Sequence, residues 1–283
     1  MKIVFFGTPD YVMPVLTSLH KKFVTGPGKS PIVAVVTQSP KPVGRKQVLS
    51  YSPVDKWAHD HKIDTYYQSS ELIDNKVVAD IGVLASYGEI ISQDVINMFP
   101  HGILVIHPSL LPEYRGASPI TAAIRDGKTT TGVTTILMDA KVDHGKIVSQ
   151  FKEDINPDDT TEILRARLFQ RSAEVILEFI EPYMKGKITP KVQDETKVTY
   201  TKIIKKEDGF VDLEKDDPIE IERKLRAYQP WPGIYTFLAN EKRLKILKAH
   251  IEDGKLILDE VQMEGKTPVS YKQFKEAYKV DLI

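Results

Sequence analysis

His107 closes an apolar run, Ile103-Leu-Val-Ile106, and is followed at once by Pro108. Such a run reads as a buried strand, and a proline stops it because it lacks the N–H that a ladder needs. The strand then delivers one titratable side chain to its carboxyl end, the edge of an open parallel sheet where ligands bind. A histidine there can move protons near neutral pH. It can equally be a structural residue at a strand end, and the pattern alone leaves both readings open. A second group is Asp139, Asp143 and His144, in the stretch Met138-Asp-Ala-Lys-Val-Asp-His-Gly145. A carboxylate brought near His107 would orient the imidazole and favour its charged form. Aspartates in a loop are otherwise solvated turn residues. Three ligands within six residues seldom converge on one ion without a helix to align them, so no metal is expected. A third group, Lys41, Arg45 and Lys46, lies in Gln38–Gln47 with two prolines and a glycine. This reads as an exposed, mobile loop, either solvated surface or a clamp on an anionic substrate.

The elements that must position these groups follow from periodicity. Buried strands are expected at 2–6, 32–37, 81–85 and 103–106, further strands at 132–138 and 145–151, and a short strand or connection at 65–68. The group at 139–145 then forms a loop at one end of the sheet. Helical spacing covers 11–20, 52–60 (with Pro53 suited to a first turn), 90–98, 118–125 and 160–185. Strands alternating with helices predict an α/β fold with a Rossmann-like, doubly wound, mainly parallel sheet. Gly7-Thr-Pro-Asp10 after the first strand is not a dinucleotide fingerprint, so a nicotinamide cofactor is not expected. The expected division is a domain over 1–188, a polar linker over 189–202 and a small OB-like β-barrel domain over 203–283. That last part has a helix at 219–228, a rigid turn Gln229-Pro-Trp-Pro-Gly233 and short strand-like runs at 234–238, 244–251, 256–263 and 269.

Composition narrows the classes. The 283 residues carry 39 basic and 39 acidic side chains, a formal net charge of zero. No global field therefore draws polyanions, and any nucleic-acid contact must use local patches. Lys202, Lys205 and Lys206, then Lys242, Arg243, Lys245 and Lys248, are candidates for such a patch or for a plain solvated face. The absence of cysteine removes disulfides, thiolate metal sites and cysteine nucleophiles. No apolar run reaches membrane length. A cytoplasmic monomer is expected.

One set of motifs resembles a known family. His107-Pro-Ser-Leu-Leu-Pro112, Tyr114-Arg-Gly116 and Pro119-Ile120, with Val142-Asp143 and Gly145, are similar to the signature of the folate-dependent formyltransferases. The separation of His107 and Asp143 (143 − 107 = 36) is the family's. Phe6-Gly-Thr-Pro-Asp10, the Pro42-x-Gly-Arg45 loop, Ala85-Ser-Tyr-Gly88, Val192-Gln-Asp-Glu195, Arg226-Ala227, Pro230-Trp-Pro-Gly233 and Val261-Gln-x-x-Gly-Lys266 resemble the branch acting on methionyl-tRNA. The resemblance implies transfer of the formyl group of 10-formyltetrahydrofolate to the α-amino group of initiator methionyl-tRNA. It implies His107 and Asp143 as the catalytic pair. Ala85, Ser86, Tyr87, Gly88 and Glu89 would line a folate pocket, with Ser109, Leu110, Leu111, Pro112, Asp139, Ala140, Lys141 and Val142. Phe6, Gly7, Thr8 and Pro9, with Arg45, Lys46, Lys205 and Lys206, would face the tRNA.

Two departures stand out. The family has an asparagine two residues before the histidine, and here that position is Val105, on the same strand face as His107. An amide would donate to the formyl oxygen, and loss of one oxyanion donor typically costs on the order of a hundredfold to a thousandfold in turnover. Either His107 carries the oxyanion alone, another donor replaces the amide, or activity is weak. The second departure is a shortened barrel, missing a stretch between Ile251 and Leu256. The alternatives are a formyltransferase acting on a small amine such as an amino sugar, a formyl-folate hydrolase, and a weakly active folate- or tRNA-binding homologue.

Overall fold

The computed structural model describes residues 1–26, 28–43 and 47–282. Backbone contacts divide it into two units, Met1–Arg115 with Gly132–Glu153 and Arg165–Tyr200, and Gly116–Thr131 with Asp154–Leu164 and Thr201–Ile283.

The first unit is built on a seven-stranded sheet. In chain order its early elements are β1 (Ile3–Gly7), α1 (Met13–Phe23), β2 (Ile32–Val36), β3 (Lys41–Val43), β4 (Val48–Ser50), α2 (Pro53–Asp60), β5 (Asp64–Tyr66) and α3 (Glu71–Asp74). Then come β6 (Ile81–Ala85), α4 (Gln93–Asn97), β7 (Ile103–His107) and β8 (Arg115–Gly116). After α5 (Pro119–Arg125) follow β9 (Thr130–Leu137), β10 (Lys146–Asp154) and α6 (Thr161–Met184), whose first turn groups with the second unit. The sheet order is β10-β9-β7-β6-β1-β2-β5. Pairing is parallel from β7 through β6, β1 and β2 to β5, and antiparallel between β7 and β9. Strands buried on both faces explain the continuous apolar runs: every residue of β1 and β7 is buried. α2 starts where its proline allows, with the Ser52 side chain capping Asp55 N at 3.0 Å.

Two expectations change here. The stretch 38–47, expected as a loop, contributes β3, which pairs with β4 as an antiparallel ribbon. The turn signals of its prolines and glycine masked the pairing, and Pro42 is tolerated because a two-stranded ribbon has free edges. Of the stretch 189–202, expected as a linker, the part through Tyr200 groups with the first unit, where Lys191 and Ile147 exchange both backbone hydrogen bonds, at 2.7 and 2.8 Å.

The second unit combines α5, β11 (Tyr200–Thr201, through Thr201), α7 (Pro218–Ala227), β12 (Ile234–Phe237), β13 (Arg243–Glu252), β14 (Lys255–Met263), β15 (Val269–Ser270) and α8 (Tyr271–Tyr278). β12 to β15 form a four-stranded antiparallel meander. α5 packs on α7, and Thr161 Oγ1 joins Thr121 Oγ1 to the Ala227 carbonyl at 3.2 and 2.6 Å. The shortening sits at a hairpin: Glu252 pairs with Lys255, and Asp253 and Gly254 turn the chain with φ of 49° and 77°. An Asp-Gly pair with both φ positive is the favoured two-residue hairpin turn. α8 was not expected, although Ser270 and Gln273 form its capping box.

Candidate active site

The site begins at the carboxyl ends of β1, β6 and β7. Gly7 pairs with Ala85 across β1 and β6, and a Cβ on Gly7 would stand 2.9 Å from the Ala85 carbonyl oxygen. Thr8 Oγ1 accepts from Gln38 N at 3.2 Å and meets Thr37 at 3.3 Å, which ties the end of β1 to that of β2. Phe6 is buried edge-on against Tyr87, while Pro9 is half-buried. After β6, Ser86 and Gly88 take positive φ, 50° and 91°, and reverse the chain. Tyr87 is buried and donates to Glu89 at 2.8 Å; burial first, then Glu89, pushes its phenol upward. Gly88 and Glu89 are exposed.

His107 is 5 % exposed. Its Nε2 lies 2.9 Å from the Tyr114 carbonyl oxygen, and its Nδ1 lies 3.4 Å from Asp143 Oδ2. A carbonyl only accepts, so Nε2 carries a hydrogen and Nδ1 is the titrating nitrogen. Burial, the largest influence, lowers the ring below its ordinary 6.5, while the Asp143 charge and the Tyr114 carbonyl oppose that shift. The resulting group is neutral at pH 7 and can accept a proton at Nδ1, where a carboxylate waits to stabilise the cation.

Asp143 does not come from the same edge. β9 leaves the sheet with Leu137 opposite Leu104, while Thr134 lies opposite His107. The 139–145 loop therefore starts three residues back along β7, and must cross the sheet face for Asp143 to reach His107. The expected loop exists; its starting edge is the reverse of the one His107 occupies. Asp139, half-buried, binds His144 at 2.6 Å; Ala140, Lys141 and Val142 are exposed.

The remaining candidates divide. Ser109 is fully buried and turned inward: its hydroxyl donates to Glu113 O at 2.6 Å and its carbonyl accepts from Thr134 at 2.7 Å. Leu111 is buried, its N–H bonded to Thr134 Oγ1 at 3.0 Å and its carbonyl to Gln150 at 3.0 Å. Leu110 and Pro112 are half-buried. Val105 packs with Leu111 and Ile136, bordered by Leu84, Met138 and Ile147. An apolar side chain suits that cluster, and it brings no hydrogen-bond donor beside His107. Arg45 and Lys46 lie outside the described residues. Lys205 and Lys206, in the second unit, are exposed. No group of three or more metal-ligating side chains occurs among the described residues, and no helix there is long and apolar enough to cross a membrane.

Periodicity missed the supports. Arg115, 1 % exposed, and Gln193, 4 % exposed, bind each other behind the Asp143 loop. Their signal in the sequence was a motif residue on each side, with no spacing rule to join positions 78 apart.

Residues 1–180 match the formyl transferase family and residues 203–256 the formyl transferase C-terminal domain. The chain belongs to the formyl transferase family. Relatives of the chain include methionyl-tRNA formyltransferases. One from Geobacter sulfurreducens is 31% identical over 309 residues, covering 99% of this chain and 95% of the relative. One from Chloroflexus aurantiacus is 40% identical over 258 residues, covering 89% and 80%. The fold is that of a methionyl-tRNA formyltransferase from Clostridium thermocellum (TM-score 0.63, 17% identity, 93% of this chain and 98% of that one). It is also that of an N-formyltransferase from Helicobacter canadensis solved with folinic acid and dTDP-3-aminofucose (TM-score 0.67, 19% identity, 89% and 88%). The C-terminal match ends at residue 256, just past the Asp253-Gly254 turn that joins β13 to β14.

Proposed function

We propose that this chain moves the formyl group of 10-formyltetrahydrofolate onto the α-amino group of methionine carried by initiator tRNA, in the cytoplasm. The observation that supports it most is the buried His107–Asp143 pair in a chain related along nearly its whole length to methionyl-tRNA formyltransferases. The amine nitrogen attacks the formyl carbon, a tetrahedral intermediate forms, and the bond to the folate nitrogen breaks. His107 Nδ1 takes the amine proton and returns it to the leaving nitrogen; Asp143 stabilises the imidazolium between these steps. With Val105 in the asparagine position, the imidazolium supplies the charge facing the oxyanion.

Residues 85–89 and 139–142 form the folate subsite, largely through backbone groups. Phe6 and Gly7 are buried in β1 and leave Thr8 and Pro9 as the part of the stretch 6–9 that can meet the tRNA. Lys205 and Lys206 are exposed and carry the charge for it, and the family resemblance assigns Arg45 and Lys46 the same role. The outer face of β12 and β13 fits the same role. Tyr235 and Phe237 alternate outward opposite Lys245 and Arg243, with Phe210 beside them and the Arg243 guanidinium 5.4 Å from the Tyr235 ring. Exposed rings among cations suit an RNA acceptor. The test is incubation with 10-formyltetrahydrofolate and methionyl-initiator tRNA, with a dTDP-amino sugar as a parallel acceptor. Formyl-methionine is the expected product; none above background, with folate binding intact, overturns the reading.

A further inference from the structure

Arg115 carries a fixed charge into the interior, and the chemistry above does not use it. Its Nε and Nη2 donate to Gln193 Oε1 at 3.1 and 2.8 Å. Its Nη2 and Nη1 meet the Glu195 carboxylate at 2.7 and 3.3 Å. Gln193 in turn donates from Nε2 to the carbonyls of Asp143 and Gly145, both at 2.8 Å. Two acceptor sites and two donor hydrogens are all the side chain has, and each is filled. The amide orientation is fixed as well. A flipped amide would set its NH2 against a guanidinium and its oxygen against two carbonyls.

What Gln193 grips is the part of the loop that departs most from ordinary backbone. Asp143 has φ of 49°, a conformation uncommon for a residue with a side chain. Next to it, His144 bridges Asp139 at 2.6 Å and Glu195 at 3.7 Å. The loop is therefore held at its carbonyls by Gln193 and at its histidine by Glu195. Both holding groups are set by the Arg115 fork.

We propose that Arg115 and Gln193 are positioning residues that latch the Asp139–Gly145 loop across the sheet face and so keep the Asp143 carboxylate at His107. The loop leaves β9 at the end of β7 away from His107, and the two Gln193 bonds hold its far side where it folds back. A misplacement of about 1 Å at such a pair can cost on the order of a hundredfold in rate.

This inference rests on the assignment of His107 and Asp143 to the reaction, and the experiment separates the two. Gln193→Glu keeps the size of the side chain and its bonds to Arg115 but has no N–H to give either carbonyl. The expected result is a fall in kcat of about tenfold to a hundredfold, with the His107 titration, followed by NMR, moving to lower pH as Asp143 withdraws. A folded Gln193→Glu protein with wild-type kcat and an unmoved His107 titration overturns the latch. So does a protein that loses only thermal stability. Gln193→Asn, neutral and one methylene shorter, reads the same way should the glutamate variant fail to fold. Asp143→Asn is the reference: wild-type turnover there overturns the catalytic assignment itself, whatever the Gln193 variants do.

Discussion

His107 is 5 % exposed and Phe237 is 54 % exposed, and the two residues belong to surfaces made in opposite ways. Around His107 both ring nitrogens face fixed acceptors, and the loop bearing one of them is itself held by a saturated amide and a buried guanidinium. Around Phe237 the rings touch one another at 5.6 to 6.0 Å, the Arg243 guanidinium lies 5.4 Å from the Tyr235 ring, and the Phe237 ring itself is largely open to solvent. Proton transfer needs a group whose ionisation is set by burial and one nearby charge, so it demands a dry, over-determined site. Stacking on a nucleotide needs accessible rings and tolerates their movement. The difference explains why the first surface is written into a loop, two strands and a distant glutamine, while the second is written into the alternation of one hairpin.

The comparison can be broken most directly at His107. His107→Gln keeps a hydrogen-bonding side chain and removes the titrating nitrogen. Turnover is expected to drop by about a hundredfold to ten-thousandfold in a single-turnover formyl-transfer assay, with tRNA binding retained. A drop below fivefold would transfer the proton chemistry to another group. Val105→Asn probes the same face from the other side. The amide restores a donor beside His107, and kcat is expected to rise by about tenfold or more. The same amide enters the cluster of Leu111 and Ile136, so thermal unfolding should show a loss of about 1–3 kcal/mol. An unchanged or lower rate would mean that the imidazolium already serves the oxyanion in full.

Phe237→Ala sharpens the contrast. It should raise the KM for charged tRNA by about tenfold, as removal of one stacking ring does, and leave kcat and folate binding alone. A loss in kcat without a change in KM would merge the two surfaces into one. The smallest effect is on stability against pH. His107 is lowered below its ordinary 6.5 by burial. Its contribution is thus fully present above 6.5. It is lost as the pH falls from 6.5 through the folded value, because the unfolded chain takes up a proton that the fold resists. His20, lowered by burial and by His61, acts in the same direction. Melting curves at about pH 7.5 and about pH 5.5 should show a smaller drop for His107→Gln than for the unaltered protein; equal drops would mean that the buried ring is not the source.

Much of this molecule is legible in one dimension. Apolar runs place β1, β2, β6 and β7 to within a residue or so, because strands buried on both faces admit little else. A proline after His107 marks where the strand stops, and the motif around it points to formyl transfer. The Asp-Gly pair at 253–254 announces the turn that shortens the C-terminal sheet. What was not legible shares one property: it depends on contacts between distant positions with no period to betray them. The ribbon of β3 and β4 was hidden by turn residues. The meeting of Asp143 with His107 was expected from a family spacing, but not the route that achieves it, since the register of β9 on β7 sends the loop away from His107 before it returns. Arg115 and Gln193 stand in the sequence as members of two separate motifs, Tyr114-Arg-Gly116 and Val192-Gln-Asp-Glu195, with nothing to join them. Only the folded chain buries both and fills every hydrogen-bonding position between them. The sequence by itself determined the strands, the chemistry available at 107 and 143, and the family. The tertiary structure decided that a valine at 105 sits in an apolar cluster, and that the Asp143 carbonyl is bonded by an amide 50 residues after it, itself bonded to a guanidinium 28 residues before it. A local pattern fixes which side chains a strand presents, whereas burial and hydrogen-bond saturation are properties of neighbours that only folding brings together.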